Sequence, residues 1–251
     1  MSTIAPGSVI LVTGASGGIG LEIAAQAAEA GAVVGVHGSR QETVEAAMAK
    51  IRARAPAAKL IPVPGDFREA GVIEAVVAKV AQEGGRFDAL VHCAITAAPE
   101  ITGFFRKTNP QSFGAAVTNM LGIFQALCFA ALPHLSERGG TIVAFASDAG
   151  RFAAPRQTIV GASFGAIMSF VRNLSMETSR DKVRVHCISP SYVAETPVFE
   201  QHAERANAAR ERAPLGLPTP RDIAPITLFL CGPGAEKITG QIISINGGLN
   251  A

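Results

Sequence analysis

Short runs of aliphatic and β-branched residues alternate with longer amphipathic stretches along almost the whole chain. The runs fall at 9–12, 32–36, 60–63, 89–93, 141–145, 184–188 and 242–246. Each is apolar with little period-two alternation, the pattern of a strand covered on both faces. Between them, apolar residues recur at helical spacing around 19–30, 41–54, 72–82, 112–135, 161–179 and 221–230. Strand and helix alternating this often predict an α/β fold of Rossmann type, a doubly wound parallel seven-stranded sheet with helices on both faces. No linker or composition break divides the chain, so one domain over residues 1–251 is expected.

Residues 192–220 depart from the alternation, with a charged, helical middle at 200–212 bracketed by prolines. An insertion after the sixth strand of an open α/β sheet lies over the carboxyl ends of the strands, where ligands bind. A substrate lid is expected there.

Composition narrows the function classes. Lys and Arg number 22 against 20 Asp and Glu, a net charge of +2, with no basic cluster. The electrostatic footprint of a nucleic-acid or membrane-surface binder is missing, so neither partner is expected. Residues 1–8 carry no basic n-region or cleavage pattern, and the apolar run 9–12 is too short for a signal peptide or a membrane span. The apolar stretch 113–135 is interrupted by Thr118, Asn119 and Gln125 and reads as a buried or interface helix. Cys93, Cys128, Cys187 and Cys231 are scattered without paired spacing. Neither a metal site nor a disulfide framework is expected, and a reducing, cytoplasmic setting fits best.

The chemistry begins directly after the first strand, at Thr13-Gly14-Ala15-Ser16-Gly17-Gly18-Ile19-Gly20. Gly14 permits the tight turn, Gly18 lets backbone approach a pyrophosphate, and Gly20 permits close packing of the helix that follows. That helix presents free N–H groups and the positive end of its dipole to phosphates. Gly14, Ser16, Gly18, Ile19 and Gly20 are therefore candidate cofactor-binding residues. The second strand ends in Val36-His37-Gly38-Ser39-Arg40, where an NAD site usually has an acidic residue for the ribose hydroxyls. Gly38 stands there instead, and Arg40 is suited to a 2′-phosphate, so NADP is expected over NAD. Asp66 and Phe67, just beyond the third strand, are expected beside the adenine.

These residues resemble the short-chain dehydrogenase/reductase family, and the likeness covers nearly the whole chain. It rests on the Thr13–Gly20 spacing, Asn119, Arg184-Val185-His186-Cys187-Ile188-Ser189-Pro190, and the ending Ile238-Thr239-Gly240-Gln241 with Gly247-Gly248. The stretch 34–40 is similar to that of NADP-dependent 3-oxoacyl-carrier-protein reductases. The resemblance implies carbonyl reduction or its reverse: hydride passes between nicotinamide and carbon while a Tyr-x-x-x-Lys pair and an upstream serine manage the proton. It places the serine at Ser147, the water-positioning asparagine at Asn119, and nicotinamide-side contacts at Ala94 and Thr196.

The same resemblance exposes departures. Val160 stands at the tyrosine position and Phe164 at the lysine position, and neither can donate a proton or carry charge. The Asn-Asn-Ala-Gly motif reads His92-Cys93-Ala94-Ile95, where Ile95 would crowd the nicotinamide side. Pro-Gly after the sixth strand reads Pro190-Ser191, and Glu195 precedes Thr196. Tyr192, the one tyrosine, is the first candidate for a displaced acid; His92, titrating near neutrality, and Asp148, with a raised pKa, are others.

Three readings follow. The first is an NADP(H)-dependent oxidoreductase with an altered proton relay, acting on a small carbonyl compound or acyl thioester. The second is a catalytically silent homologue, a nucleotide-binding or structural subunit paired with an active paralogue. The third is hydration or hydrolysis using His92, Ser147 or Asp148. The helices over 112–135 and 161–179 are apolar around much of their circumference, so a homodimer, a homotetramer or a hetero-oligomer with a paralogue is expected.

Overall fold

Neighbouring residues of a strand point to opposite faces. In β1 (Val9–Thr13), Val9 and Leu11 enter one apolar core while Ile10 and Val12 enter another. The computed structural model describes residues 4–94, 99–200 and 203–250. Its strands are β1, β2 (Val33–Gly38), β3 (Leu60–Pro64), β4 (Ala89–His92), β5 (Gly140–Phe145), β6 (Val183–Pro190) and β7 (Ile242–Ile245). All pair in parallel, in the order β3-β2-β1-β4-β5-β6-β7. The expected doubly wound sheet is thus observed.

Helices α1 (Gly18–Glu29), α2 (Gln41–Arg54) and α9 (Pro220–Cys231) cover the Ile10 face through Ile23, Val44, Ile51, Ile223 and Leu228. The Leu11 face is covered by α3 (Val72–Gly84), α5 (Ile123–Ser136) and α6 (Thr158–Thr178), through Val80, Phe124, Leu127, Ile167 and Val171. Phe124 is fully buried, and its burial alone contributes about 2–3 kcal/mol.

The single helix expected over 112–135 is instead three pieces. A short α4 (Phe113–Val117) passes through a π turn at Thr118–Gly122 before α5 begins. A π turn inserts one residue into the helical ladder and recurs at functional sites. It carries Asn119, which is exposed. The expected lid contains two helices, α7 (Pro197–Glu200) and α8 (Ala203–Arg212). Its far end is fastened: Leu215 N–H donates to the Gly247 carbonyl at 3.0 Å, and Ala194 N–H to the Pro218 carbonyl at 2.8 Å.

By length and composition the helical stretches Pro110–Ser136 and Thr158–Asp181, which contain α5 and α6, could each cross a membrane, but their inner faces pack on the sheet. Their outer faces leave Phe129 81% and Met176 73% exposed.

Candidate active site

The strand order reverses between β1 and β4, and in open α/β sheets the crevice at that switch point takes the ligand. The glycine loop lies there, built so tightly that side chains would not fit. Gly14 has φ +68°, and a Cβ on it would stand 2.8 Å from the Ala94 nitrogen. A Cβ on Gly20 would stand 2.3 Å from the Gly14 carbonyl oxygen, so this glycine closes the loop on itself as well as opening α1. Gly18, at φ +52°, faces Thr196 Cγ2 with only 3.7 Å to an added Cβ. The N-cap of α1, Gly17, provides no side-chain cap, and the first turn has no acidic residue. Its N–H groups are available to an anion.

His37 braces the loop from below. Its Nδ1 accepts from Gly14 N–H at 3.3 Å and its Nε2 donates to the Gly65 carbonyl at 3.0 Å, an arrangement that requires the neutral ring. Burial lowers its pKa to about 4. Phe67 stacks under this ring at 3.9 Å and is itself buried. Phe67 was expected beside the adenine; in the structure its ring is engaged with His37. Asp66 is likewise occupied, chelated by the Arg68 side chain and backbone N–H, which hold its carboxyl down at about 2.

At the end of β2, where an acidic residue was the alternative, a Cβ on Gly38 would lie 3.1 Å from Thr43 Oγ1 and 3.3 Å from Ser16 Cβ, close enough that these side chains would have to shift for a larger residue. Ser16 and Arg40 are both exposed beside that space, and Ile19 is half-buried in the first turn of α1.

His92 also departs from expectation. Its Nδ1 pairs with Thr13 Oγ1 at 2.8 Å, its ring stacks on Phe124, and burial lowers its pKa to about 3. It therefore does not titrate near neutrality. Ile95 lies outside the described residues.

A cavity of about 330 Å³ opens where the turn after β5 meets the segment after β6. Ser147 and Tyr192 both line it, beside Gln157, Asn250 and Arg212. Ser147 caps the 3-10 turn Asp148–Gly150, its Oγ accepting from Ala149 N–H at 3.3 Å. Asp148 was a candidate donor, but it acts as an acceptor. It receives hydrogen bonds from Ser189 and Ser244 on Oδ1, and from Asn246 and Asn250 on Oδ2.

Val160 and Phe164, one turn apart on α6, are 4% and 8% exposed and belong to the apolar core. The helix sits tightly on the Asp148–Gly150 turn. A Cβ on Gly161 would stand 2.5 Å from the Ala149 carbonyl oxygen, and one on Gly150 would stand 2.9 Å from Phe164 Cβ. Neither Val160, Phe164 nor Asn119 lines the cavity among the described residues. Thr196 is buried, and its hydroxyl donates to the Val193 carbonyl at 2.8 Å. Ala94, half-buried, sends its N–H toward Thr13 Oγ1 at 3.4 Å.

Sequence reasoning missed Gln157, Asn250 and Arg212. The glycine pair before Asn250 and the basic end of the lid helix were the available signals.

The family model described as enoyl-(acyl carrier protein) reductase matches residues 14–250. The 3-oxoacyl-(acyl-carrier-protein) reductase FabG of Thermotoga maritima is 30% identical, over 97% of this chain and 98% of its own. The short-chain reductase protein NovJ of Streptomyces niveus is 33% identical, over 96% of this chain and 93% of its own. Among solved structures, a 7α-hydroxysteroid dehydrogenase complexed with NADH and 7-oxo glycochenodeoxycholic acid superposes with a TM-score of 0.91 at 25% identity, over 98% of this chain and 96% of that one. A dehydrogenase/reductase from Sinorhizobium meliloti gives 0.90 at 26% identity, over 100% and 98%.

Proposed function

The chain belongs to the short-chain dehydrogenase/reductase family, and from that premise we propose an NADP(H)-dependent oxidoreductase that interconverts a carbonyl and an alcohol. The observation that carries this reading is that Ser147 and Tyr192 line one cavity beyond the carboxyl ends of β5 and β6. The glycine loop comes near the segment that carries Tyr192, since a Cβ on Gly18 would stand 3.7 Å from Thr196 Cγ2, and this supports a cofactor bound beside the cavity.

Ser16, Gly18, Ile19 and Arg40 would hold the dinucleotide, which supplies the hydride when bound. Ser147 Oγ would hold the substrate oxygen, and Tyr192 would deliver a proton to it in reduction or withdraw one in oxidation. The reductase relatives support a small carbonyl compound or an acyl thioester as substrate. Of the residues weighed for hydration or hydrolysis, His92 and Asp148 are engaged in hydrogen bonds within the fold, which leaves Ser147 alone in the cavity without an evident base.

A second reading has its own support. Apolar, buried Val160 and Phe164 stand where the resemblance calls for the acid and its cation, as expected of a silent, nucleotide-binding subunit. NADPH and NADH titration followed by a carbonyl screen separates the two. On the first reading NADPH binds more tightly than NADH, and Tyr192→Phe lowers kcat/KM by roughly 10²–10⁴. NADPH binding without turnover would favour the silent subunit, and turnover unaltered in Tyr192→Phe would remove the displaced acid.

We also propose that α5 and α6 assemble copies of this chain, or this chain with a paralogue, through the outward faces bearing Phe129 and Met176. Light scattering should give a dimer or tetramer at micromolar concentration, shifted toward monomer by Phe129→Glu. A stable wild-type monomer with no paralogue bound would end this assignment.

A further inference from the structure

The cavity holds two charged side chains among its lining residues, Asp148 and Arg212. Asp148 is 2% exposed, and both of its oxygens are turned into donors from Ser189, Ser244, Asn246 and Asn250. Its acceptor sites are taken. Arg212, the last residue of α8, is exposed and makes no ion pair or hydrogen bond among the described residues. An arginine at a helix end is stabilised by the dipole whatever else it does, so its position alone says little. Two further observations make it part of a site.

First, the segment that carries it is anchored. Ala213 is buried beside it, Leu215 N–H donates to the Gly247 carbonyl at 3.0 Å, and Gly247 packs against the Gly216 backbone so closely that no Cβ would fit. The guanidinium is therefore presented from a fixed base.

Second, the rest of the lining is sorted. Phe152, Pro155 and Leu249 provide apolar contact, while Ser147, Tyr192 and Gln157 provide neutral polar groups. Among the described lining residues, Arg212 is the one charged group left to meet a ligand. A guanidinium presents parallel N–H donors that match an oxyanion, by a bidentate fork to a carboxylate or phosphate.

We propose that Arg212 is a specificity-determining residue, and that the cavity takes a carbonyl or hydroxy compound bearing an oxyanion. Its reacting carbon lies at Ser147 and Tyr192, with the oxyanion paired to Arg212 at the lid. The assignment rests on the oxidoreductase reading for what happens to the carbon, but not for the binding of the anion.

The test uses the full chain with NADPH and two arms: oxo acids, each beside its methyl ester, and dihydroxyacetone phosphate beside dihydroxyacetone. Turnover and calorimetric binding are both measured. The acids or the phosphate should be preferred over their neutral partners by roughly ten-fold or more in kcat/KM. Arg212→Gln should raise KM for the anionic compound and bring the ratio near one, with Arg212→Lys restoring part of it. The arm that shows the preference identifies a carboxylate or a phosphate.

Equal use of anionic and neutral compounds, unaltered in Arg212→Gln, would overturn the proposal and leave the oxidoreductase reading standing. Binding of the oxyanion without turnover, weakened in Arg212→Gln, would sustain the proposal and remove that reading. No binding in either arm would overturn it.

Discussion

Acidifying the protein from pH 7.5 to pH 5 should remove about 6 kcal/mol of folding stability, with three buried histidines accounting for it. His37, His92 and His186 have ring pKa values lowered to about 4, 3 and 4, burial being the largest cause in each. For His186 the Arg184 charge adds to the lowering, while the Ile238 backbone opposes it. Unfolded, each ring titrates near 6.5. Between that value and the folded pKa the unfolded chain binds a proton that the native protein does not, so stability falls as pH falls. At pH 5 each ring contributes about 2 kcal/mol to the loss. A domain holds roughly 5–15 kcal/mol in all, so if this one lies in the lower half of that range its acid transition should fall between about pH 4 and 5.5. The lowered carboxyl of Asp66 acts later, since its contribution is lost only as pH falls from its unfolded value toward its folded value of about 2.

Denaturant melts across this range measure the slope directly. His186 has no hydrogen-bond partner at good geometry on either ring nitrogen, so His186→Leu should flatten the slope by about a third without costing a bond. Stability constant from pH 7.5 to pH 5 would show that these rings are not held neutral.

The fold was legible because it is written in local pattern. The strand pattern at 9–12 and the glycine turn behind it were readable, as was α2, whose stop before Pro56 follows from the restriction on a residue preceding proline. What escaped was set by pairing between distant segments. Phe67 reads only as a residue beyond the third strand, and the parallel register of β2 and β3 is what brings His37 over its ring. The π turn at Thr118–Gly122 carries no periodicity that separates it from the helices on either side. Asp148 reads as an acid beside a catalytic serine, yet its partners lie 41 to 102 residues away. Arg212 reads as one more basic residue on a charged helix, and only the fold of the chain end against Gly216 turns it toward a cavity.

Replacing Asp148 by alanine should cost about 3–5 kcal/mol, because it strips the acceptor from four donors, of which Ser189 and Asn246 are buried. Ser189 and Ser244 are register partners on β6 and β7, so their hydroxyls stand side by side and reach the same Oδ1, at 3.1 and 2.7 Å. Asn246 donates to Oδ2 at 2.6 Å and Asn250 at 3.4 Å. One side chain thus ties the turn after β5 to the ends of β6, β7 and the chain's final residues. In the alanine variant the hydroxyl of Ser189 and the amide of Asn246 lose this acceptor at buried positions, and the hydroxyl of Ser244 loses it at a half-buried one. At roughly 2–4 °C per kcal/mol for a domain of this size, the melting temperature should drop by about 6–20 °C. Asparagine is no remedy, since one of its two positions becomes a donor facing other donors. Asp148→Asn should therefore also melt well below wild type, whereas a solvated surface aspartate would tolerate either change. The effect extends to the cavity, because Ser147 precedes Asp148 and Asn250 lines the wall that Asp148 holds. At a temperature where the variant is folded, KM for the preferred substrate should rise while NADPH affinity, set at the glycine loop, with which Asp148 shares no hydrogen bond among the described residues, stays near wild type. A melting temperature within about 2 °C of wild type would show that the four donors find other partners.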